Sequence, residues 1–174
     1  MQTHDNIDWS HRKGSSNGPD KWQYLCADFA DCGGKMQSPI NIEKHKVLSD
    51  KPLALPIFNY GSSKVEIVHT GHMIQFNIDG KHTVELEGKR YQLLQFHYHA
   101  KSEHTIDGHQ FPLELHFVHK HSDTDFAVLG IMFVEGQENA LLSRFLNHFP
   151  KEKGKYTSEV YKLLKHSWNA SQRY

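Results

Sequence analysis

From about Ser38 onward, apolar and polar side chains alternate with a period close to two. This alternation is typical of β-strands that bury one face. Asp79-Gly80 stands between two alternating runs and predicts a hairpin turn. The run 126–134 is almost continuously apolar and predicts a strand buried on both faces. The predicted strands are KVEIVHT, HMIQFNI, HTVELEG, YQLLQFHYHA, FPLELHFVHK and FAVLGIMFV.

Helical spacing is clear only in ENALLSRFLNHF (138–149), where the leucines and phenylalanines fall on one side. TSEVYKLLKHSW (157–168) predicts a second short helix. Residues 1–38 are rich in Gly, Ser, Asn, Asp and Pro, and they contain Trp9, Trp22 and Tyr24. We expect an irregular segment pinned by these rings. The fold class predicted from these patterns is mostly β, a sheet with peripheral helices.

The overall composition fits one soluble domain spanning 1–174. Twenty Lys and Arg balance twenty Asp and Glu, and the pI is about 7.3. Bulk charge therefore favours neither nucleic acid nor an anionic membrane as a partner. The apolar runs are too short to span a bilayer. The amino terminus is polar, so we expect a cytoplasmic protein, or a periplasmic or secreted one if a signal peptide was removed.

The two cysteines, Cys26 and Cys32, show neither a Cys-x-x-Cys motif nor the spacing of Cys/His metal ligands. A loop would allow them to pair with each other. Unpaired or structural thiols are the simpler interpretation, and the pattern leaves the redox compartment open.

The candidate chemistry lies in QFHYHAKSEH (95–104). His97 and His99 project from the same face of a strand, and so do Glu114 and His116 on the strand PLELHFVHK. If these strands are neighbours, three imidazoles converge, which suits an open tetrahedral zinc site with water as the fourth ligand. Fifteen histidines make chance pairs common, so solvated or core histidines remain an alternative. A further alternative is that the three histidines bind iron or copper instead of zinc.

Two polar residues are candidates to orient these imidazoles. Gln95 and Glu114 each lie two residues from a proposed ligand and on the same strand face. A metal-bound histidine usually donates its second ring N–H to such a group. Both residues are equally compatible with ordinary polar positions on a strand.

Five motifs in order resemble the α-class carbonic anhydrases, over about Asn6 to Lys162. They are WSHRKGSSNGPDKW (9–22), QSPINI (37–42), FHYHAKSEHTIDG (96–108), PLELHFVH (112–119) and FAVLGIMFVEG (126–136). The resemblance implies a large, mainly antiparallel central sheet with short peripheral helices. It also implies reversible, zinc-dependent hydration of carbon dioxide to bicarbonate, with His97, His99 and His116 as the zinc ligands and Gln95 and Glu114 as their partners.

The resemblance assigns four further roles. His72 becomes a proton shuttle, since histidine titrates near neutral pH. Val118 and Val128 become the apolar wall beside carbon dioxide, and Glu103 becomes the carboxylate that orients a gating hydroxyl. Without the family resemblance, we would interpret His72 as a surface histidine, the two valines as core residues, and Glu103 as a strand-end glutamate in a salt bridge.

The chain also departs from the family pattern. The Ser-Leu-Thr-Thr-Pro-Pro stretch that carries the gating threonine is absent, and the sequence stops short of the family's usual end. His11 stands where the family carries tyrosine, and the usual cysteine partner for Cys26 or Cys32 is missing. We therefore expect a domain that lacks the family's C-terminal segment. A catalytically impaired zinc-binding remnant of the fold is the alternative function.

Overall fold

The computed structural model describes residues 7–47, 54–139, 143 and 149–161, and it describes side chains as far as residue 154. The chain divides into two compact units, Met1–Asn41 and Ile42–Tyr174. A single domain over the whole chain stays a prediction. Within the described residues, no helix is long and apolar enough to cross a bilayer.

The first unit is irregular and contains two short 3₁₀ helices, Trp22–Tyr24 and Ala27–Gly33. The rings of Trp9, His11 and Trp22 pack edge to face, with centroids 5.2 to 5.6 Å apart. The Trp22 indole N–H points at the backbone carbonyls of Ser10 and Asn17, 3.2 Å from each. Two of the three predicted aromatic anchors therefore pack as expected.

Three other features of this unit bear on the sequence predictions. Tyr24, the third predicted anchor, is 74% exposed, so that part of the prediction is wrong. Cys26 and Cys32 are both free thiols. Cys26 is half-buried and Cys32 is exposed.

The second unit is built on an eight-stranded antiparallel sheet. Its strands are β2 (Ile57–Asn59), β3 (Ser63–His69), β4 (Ile74–Ile78), β5 (Thr83–Leu86), β6 (Lys89–Ala100), β9 (Leu113–Ser122), β10 (Asp125–Phe133) and β11 (Gly154–Tyr161). Six strands follow one another across it in the order β10-β9-β6-β4-β3-β11, while β5 also pairs with β6 and β2 pairs with β5. This architecture confirms the predicted fold class.

A smaller antiparallel sheet has the order β1-β7-β8. Its strands are β1 (Asn41–Ile42), β7 (Thr105–Ile106) and β8 (His109–Gln110). The backbone N–H of Asp107 donates to the Ile42 carbonyl, and the Asp107 carboxylate accepts from the backbone of Lys44, where a 3₁₀ helix (Lys44–Lys46) begins. These bonds fix the segment that leaves β6.

The prediction of a hairpin turn at Asp79-Gly80 is wrong. β4 and β5 do not pair with each other, because both lie along the same edge of the 12-residue strand β6, one after the other. The tight turn instead joins β5 to β6 at Glu87 and Gly88, whose φ angles are 48° and 79°. Positive φ at both central positions is the geometry that matches the twist of a two-residue hairpin.

The two predicted helices have different outcomes. Ser143 is helical, and its backbone N–H donates to the Asn139 carbonyl. Most of the predicted helix 138–149 lies outside the described residues. The prediction for 157–168 is wrong for Thr157–Tyr161, which belongs to β11 and pairs with β3. The edge of β3 supplies backbone partners there, and such pairing overrides local helical propensity.

The core lies on one face of the large sheet. Phe76 and Phe96 stack with centroids 4.5 Å apart and an interplanar angle of 4°. Around them are buried the side chains of Val65, Ile67, Leu93, Leu115 and Phe117. Since side chains alternate along each strand, the neighbours of these residues face the opposite side, where the histidines lie.

The strand β10 is not buried on both faces, contrary to the prediction from its apolar run. Phe126 is 49% exposed and Val128 is 56% exposed. Among the described strands, β10 is the last in the sheet order and pairs with β9 alone. The exposed positions, Phe126, Val128 and Gly130, alternate along the strand, so one face of β10 is left open among the described residues.

Candidate metal centre

The three predicted ligands come from two adjacent strands. β6 pairs with β9 so that His97 lies directly opposite His116, and His99 lies opposite Glu114. One ring nitrogen from each of His97, His99 and His116 lies within 4.8 Å of the others. The condition that the sequence left open, that these strands be neighbours, is met, and the imidazoles converge on one point.

Close contacts with neighbouring polar groups orient two of these rings. His97 Nδ1 lies 2.8 Å from Gln95 Oε1, so Nδ1 donates and Nε2 keeps the lone pair. His116 Nε2 lies 2.8 Å from Glu114 Oε1, which leaves Nδ1 for a ligand. The His97 and His116 residues are only 8% and 6% exposed. Gln95 and Glu114 thus stand where partners of metal-bound imidazoles are needed.

Glu114 is the centre of a hydrogen-bond network. Its Oε2 accepts the backbone N–H groups of Glu103 and His104, at 2.8 and 2.9 Å. Its Oε1 lies 2.6 Å from His104 Nδ1 as well as close to His116. Complete burial penalises the charged carboxylate, but the bonds from His104 and His116 outweigh it and lower the pKa of Glu114 to about 2. Glu114 is therefore an anion, and it contacts the His116 ring at Nε2, opposite the nitrogen left for a ligand.

Glu103 lies in the bend that follows β6, with its carboxylate turned toward the proposed ligands. Its Oε2 is 3.2 Å from His99 Nε2 and 3.8 Å from His116 Nδ1. The side chain is 25% exposed. The predicted role of Glu103, orienting a gating hydroxyl, stays a prediction.

Two contributors to the site were missed in the sequence. His104 contacts the Glu114 carboxylate through its backbone N–H and its ring. It lies in an irregular bend, where no periodicity predicts the direction of the side chain. Gly130 lies opposite His116 on β10, and a Cβ there would stand 2.8 Å from Glu114 Oε1. A side chain at this position would displace the carboxylate. A glycine inside an otherwise apolar strand is a signal for such a close approach.

The remaining predicted residues are two valines on β9 and β10 and one histidine in a turn. Val118 and Val128 are paired across β9 and β10, and alternation puts them on the same face as His116. Val118 is half-buried. His72 is exposed in the turn between β3 and β4, where its backbone N–H donates to Thr70 Oγ1 over 3.2 Å. The roles of these three residues stay predictions.

The donor set fits a zinc ion. Three imidazoles from rigid strands, oriented by a neutral amide and a buried carboxylate, match the ligands of open zinc sites. A second group of possible ligands, His104, Glu114 and His116, shares only His116 with the three-histidine centre. Its Glu114 oxygens are already engaged by backbone N–H groups and imidazoles, which favours a supporting role for that group.

Comparison with known proteins relates this geometry to one family. The family model of the eukaryotic-type carbonic anhydrases matches residues 17–173. The carbonic anhydrase of Pectobacterium atrosepticum is 38% identical over 147 residues, which are 84% of this chain and 58% of that protein. The carbonic anhydrase of Neisseria gonorrhoeae is 38% identical over 141 residues, 80% of this chain and 55% of that protein. This chain thus spans less than two thirds of the curated relatives it matches.

Solved structures agree with the sequence comparison. The α-carbonic anhydrase of Thermovibrio ammonificans, in complex with the inhibitor sulfanilamide, superposes with a TM-score of 0.80 and 35% identity, covering 88% of this chain and 67% of that one. The α-carbonic anhydrase of Photobacterium profundum gives a TM-score of 0.76 and 33% identity, covering 89% and 69%. The described part of the chain therefore shares their fold.

Proposed function

Because this chain belongs to the eukaryotic-type carbonic anhydrase family, we propose that it catalyses the reversible hydration of carbon dioxide to bicarbonate and a proton. The observation that carries the proposal is the convergence of three ring nitrogens, from His97, His99 and His116, within 4.8 Å. These residues would hold the zinc ion on which the reaction depends.

Zinc held by three neutral imidazoles is a Lewis acid that lowers the pKa of a coordinated water and so supplies a nucleophile at neutral pH. The protein's part is to orient those imidazoles so that one ring nitrogen of each can bind the ion. Gln95 fixes the tautomer of His97 by accepting its Nδ1–H, and Glu114 holds His116 through Nε2. Both partners leave the opposite ring nitrogen available for the ion that these residues would hold.

Carbon dioxide is a small apolar substrate, so its binding site needs an apolar surface that excludes water more than it needs polar contacts. Val118 and Val128 would form that wall, since they lie side by side on the face that carries His116. The electroneutral composition suits a small neutral substrate and gives no support to a nucleic acid partner.

A proton must leave the site in every hydration cycle. His72 would pass it to solvent, because an imidazole exchanges protons near neutral pH and this residue is exposed in a turn. Its backbone is fixed by Thr70 Oγ1, which would keep the side chain at a constant place in the turn.

The test is stopped-flow measurement of carbon dioxide hydration by zinc-loaded protein. Wild type should exceed the buffer rate clearly, while His97→Ala should lose the protein-dependent rate by roughly 100-fold or more, since it removes a direct ligand. The matched control is His45→Ala, an exposed histidine of the 3₁₀ helix Lys44–Lys46, which should retain the wild-type rate.

Two results would overturn the proposal. Equal rates in wild type and His97→Ala would show that hydration does not depend on this centre. Stoichiometric zinc without a rate above buffer would favour the alternative function, a zinc-binding member of the fold that does not turn over.

A further inference from the structure

Ser102 lies in the bend that follows β6, and its side chain joins this bend to the segment that enters β9. The residue is only 1% exposed. Its hydroxyl donates to the His104 carbonyl over 2.7 Å and accepts the backbone N–H of Phe111 over 2.8 Å. A hydroxyl carries one hydrogen and can accept as well, so a single side chain serves both backbone groups.

The backbone of Ser102 is fixed as well. Its N–H donates to the Phe111 carbonyl over 2.8 Å, and its carbonyl accepts the side-chain amide of Gln110 over 2.8 Å. The preceding residue, Lys101, has a φ angle of 61°, so the chain turns sharply just before Ser102. All three polar groups of Ser102 therefore have partners within the protein, and together they hold the bend against the start of β9.

This bend carries the two backbone donors that hold Glu114. The N–H groups of Glu103 and His104 donate to Glu114 Oε2 over 2.8 and 2.9 Å. Both can reach one oxygen only if the peptide groups on either side of Glu103 point the same way. The Ser102 backbone lies directly before the first donor, and its hydroxyl holds the carbonyl of His104, directly after the second. Ser102 thus fixes the pair of donors from both ends.

From Glu114 the constraint passes to a candidate ligand. The Glu114 side chain is fully buried, and its Oε1 lies 2.8 Å from His116 Nε2, which leaves Nδ1 of that ring for the ion. If the bend moved, the carboxylate would lose donors and the His116 ring would lose its fixed direction. Loss of such a supporting contact typically weakens metal binding by roughly 10- to 100-fold.

We propose that Ser102 is a positioning residue of the metal centre. Its buried hydroxyl holds the bend whose N–H groups orient Glu114, and Glu114 in turn orients His116. The inference rests on the proposed function for its metal and its three histidines. It extends the centre to a residue that acts on the ion only through other side chains.

The first experiment measures cobalt(II) affinity of the full chain by chelator competition. Ser102→Ala should bind cobalt roughly 10-fold more weakly than wild type or worse, because it removes the hydroxyl that supports the bend. Ser63→Ala is the matched control. Ser63 is also buried, at 4% exposure, and its hydroxyl contacts the carbonyls of Lys64 and Asp79 at β3. This control loses a buried hydroxyl away from the bend and should bind cobalt as wild type does.

The second experiment measures amide hydrogen exchange in the metal-free protein. The amides of Glu103 and His104 should exchange roughly 10-fold faster in Ser102→Ala, relative to the amide of Phe96 in the core strand β6. A general loss of stability accelerates all three amides, so their ratio isolates the bend, and Ser63→Ala should leave that ratio unchanged. Ser102→Cys keeps the size and only a weak donor and acceptor. It should fall between wild type and Ser102→Ala, and it carries the test if the alanine variant does not fold.

The outcomes separate this inference from the function on which it rests. Unchanged cobalt affinity in Ser102→Ala, or an equal loss in Ser63→Ala, would overturn the positioning role of Ser102. Failure of wild type to bind cobalt would overturn the three-histidine centre and this inference with it. Weaker cobalt binding by Ser102→Ala alone, in a protein whose zinc form does not hydrate carbon dioxide, would support this inference and overturn the proposed function.

Discussion

At the scale of single residues, Glu114 holds the candidate centre together. It is fully buried, yet it stays ionised because two backbone N–H groups and two imidazoles surround its oxygens. Removing the charge while keeping the size, as in Glu114→Gln, leaves these donors facing an amide. Breaking a buried charged network of this kind is strongly destabilising.

The pKa of Glu114 predicts how this contribution depends on pH. Its value in the folded protein, about 2, lies below the ordinary value of 4.5. The stabilisation is therefore complete above about pH 4.5 and disappears as the pH falls toward 2, with a size of about 3 kcal/mol. In the metal-free protein, urea unfolding should show wild type more stable than Glu114→Gln at pH 6, with the gap narrowing as the pH falls.

Glu85→Gln is the control for this series, and its difference from wild type should stay small at every pH. A gap between wild type and Glu114→Gln that does not change between pH 6 and pH 3 would contradict the assignment of a stabilising charge to Glu114.

Strand periodicity made the candidate ligands predictable, but not the residues that support them. His97, His99 and His116 follow from alternation along two strands, because side chains two apart share a face. Glu103 and His104 lie in a bend, where the direction of a side chain depends on tertiary hydrogen bonds to Glu114. No local pattern in the sequence reports those bonds.

At the scale of elements, the long strand β6 organises the sheet. Its first four residues pair with β5, its later ones with β4, and its other edge pairs with β9. The strands were predictable from the sequence but their arrangement was not, since Asp79-Gly80 is a stronger local turn signal than Glu87-Gly88. Which strands pair is decided partly by contacts distant in sequence, and the hairpin that forms is identified by the β5–β6 pairing and the positive φ angles at Glu87 and Gly88.

This turn gives a prediction for a glycine substitution. Gly88 has φ +79° and no atom within 4 Å of a Cβ placed there, so Gly88→Ala adds backbone strain without a steric clash. Urea unfolding should show a loss of about 1 to 2 kcal/mol. Gly136→Ala is the control, because that position is equally open and lacks a positive φ. Equal stability of the two variants would contradict a left-handed conformation at Gly88.

At the scale of the whole molecule, the fold was predictable because the family motifs follow one another in order along most of the chain. The family model matches 17–173, and the large sheet is antiparallel, as predicted. The division into the units Met1–Asn41 and Ile42–Tyr174 was not predicted, since no linker composition marks the boundary. The chain spans only 58% of the Pectobacterium relative. Its own metal centre therefore has to be tested directly.

That test is the zinc content of the purified chain after dialysis against metal-free buffer. Wild type and the surface control His45→Ala should each retain close to one zinc per chain, and His97→Ala should retain almost none. A folded wild type that holds no zinc, or a His97→Ala variant that holds as much as wild type, would contradict the assignment of the metal centre to His97, His99 and His116.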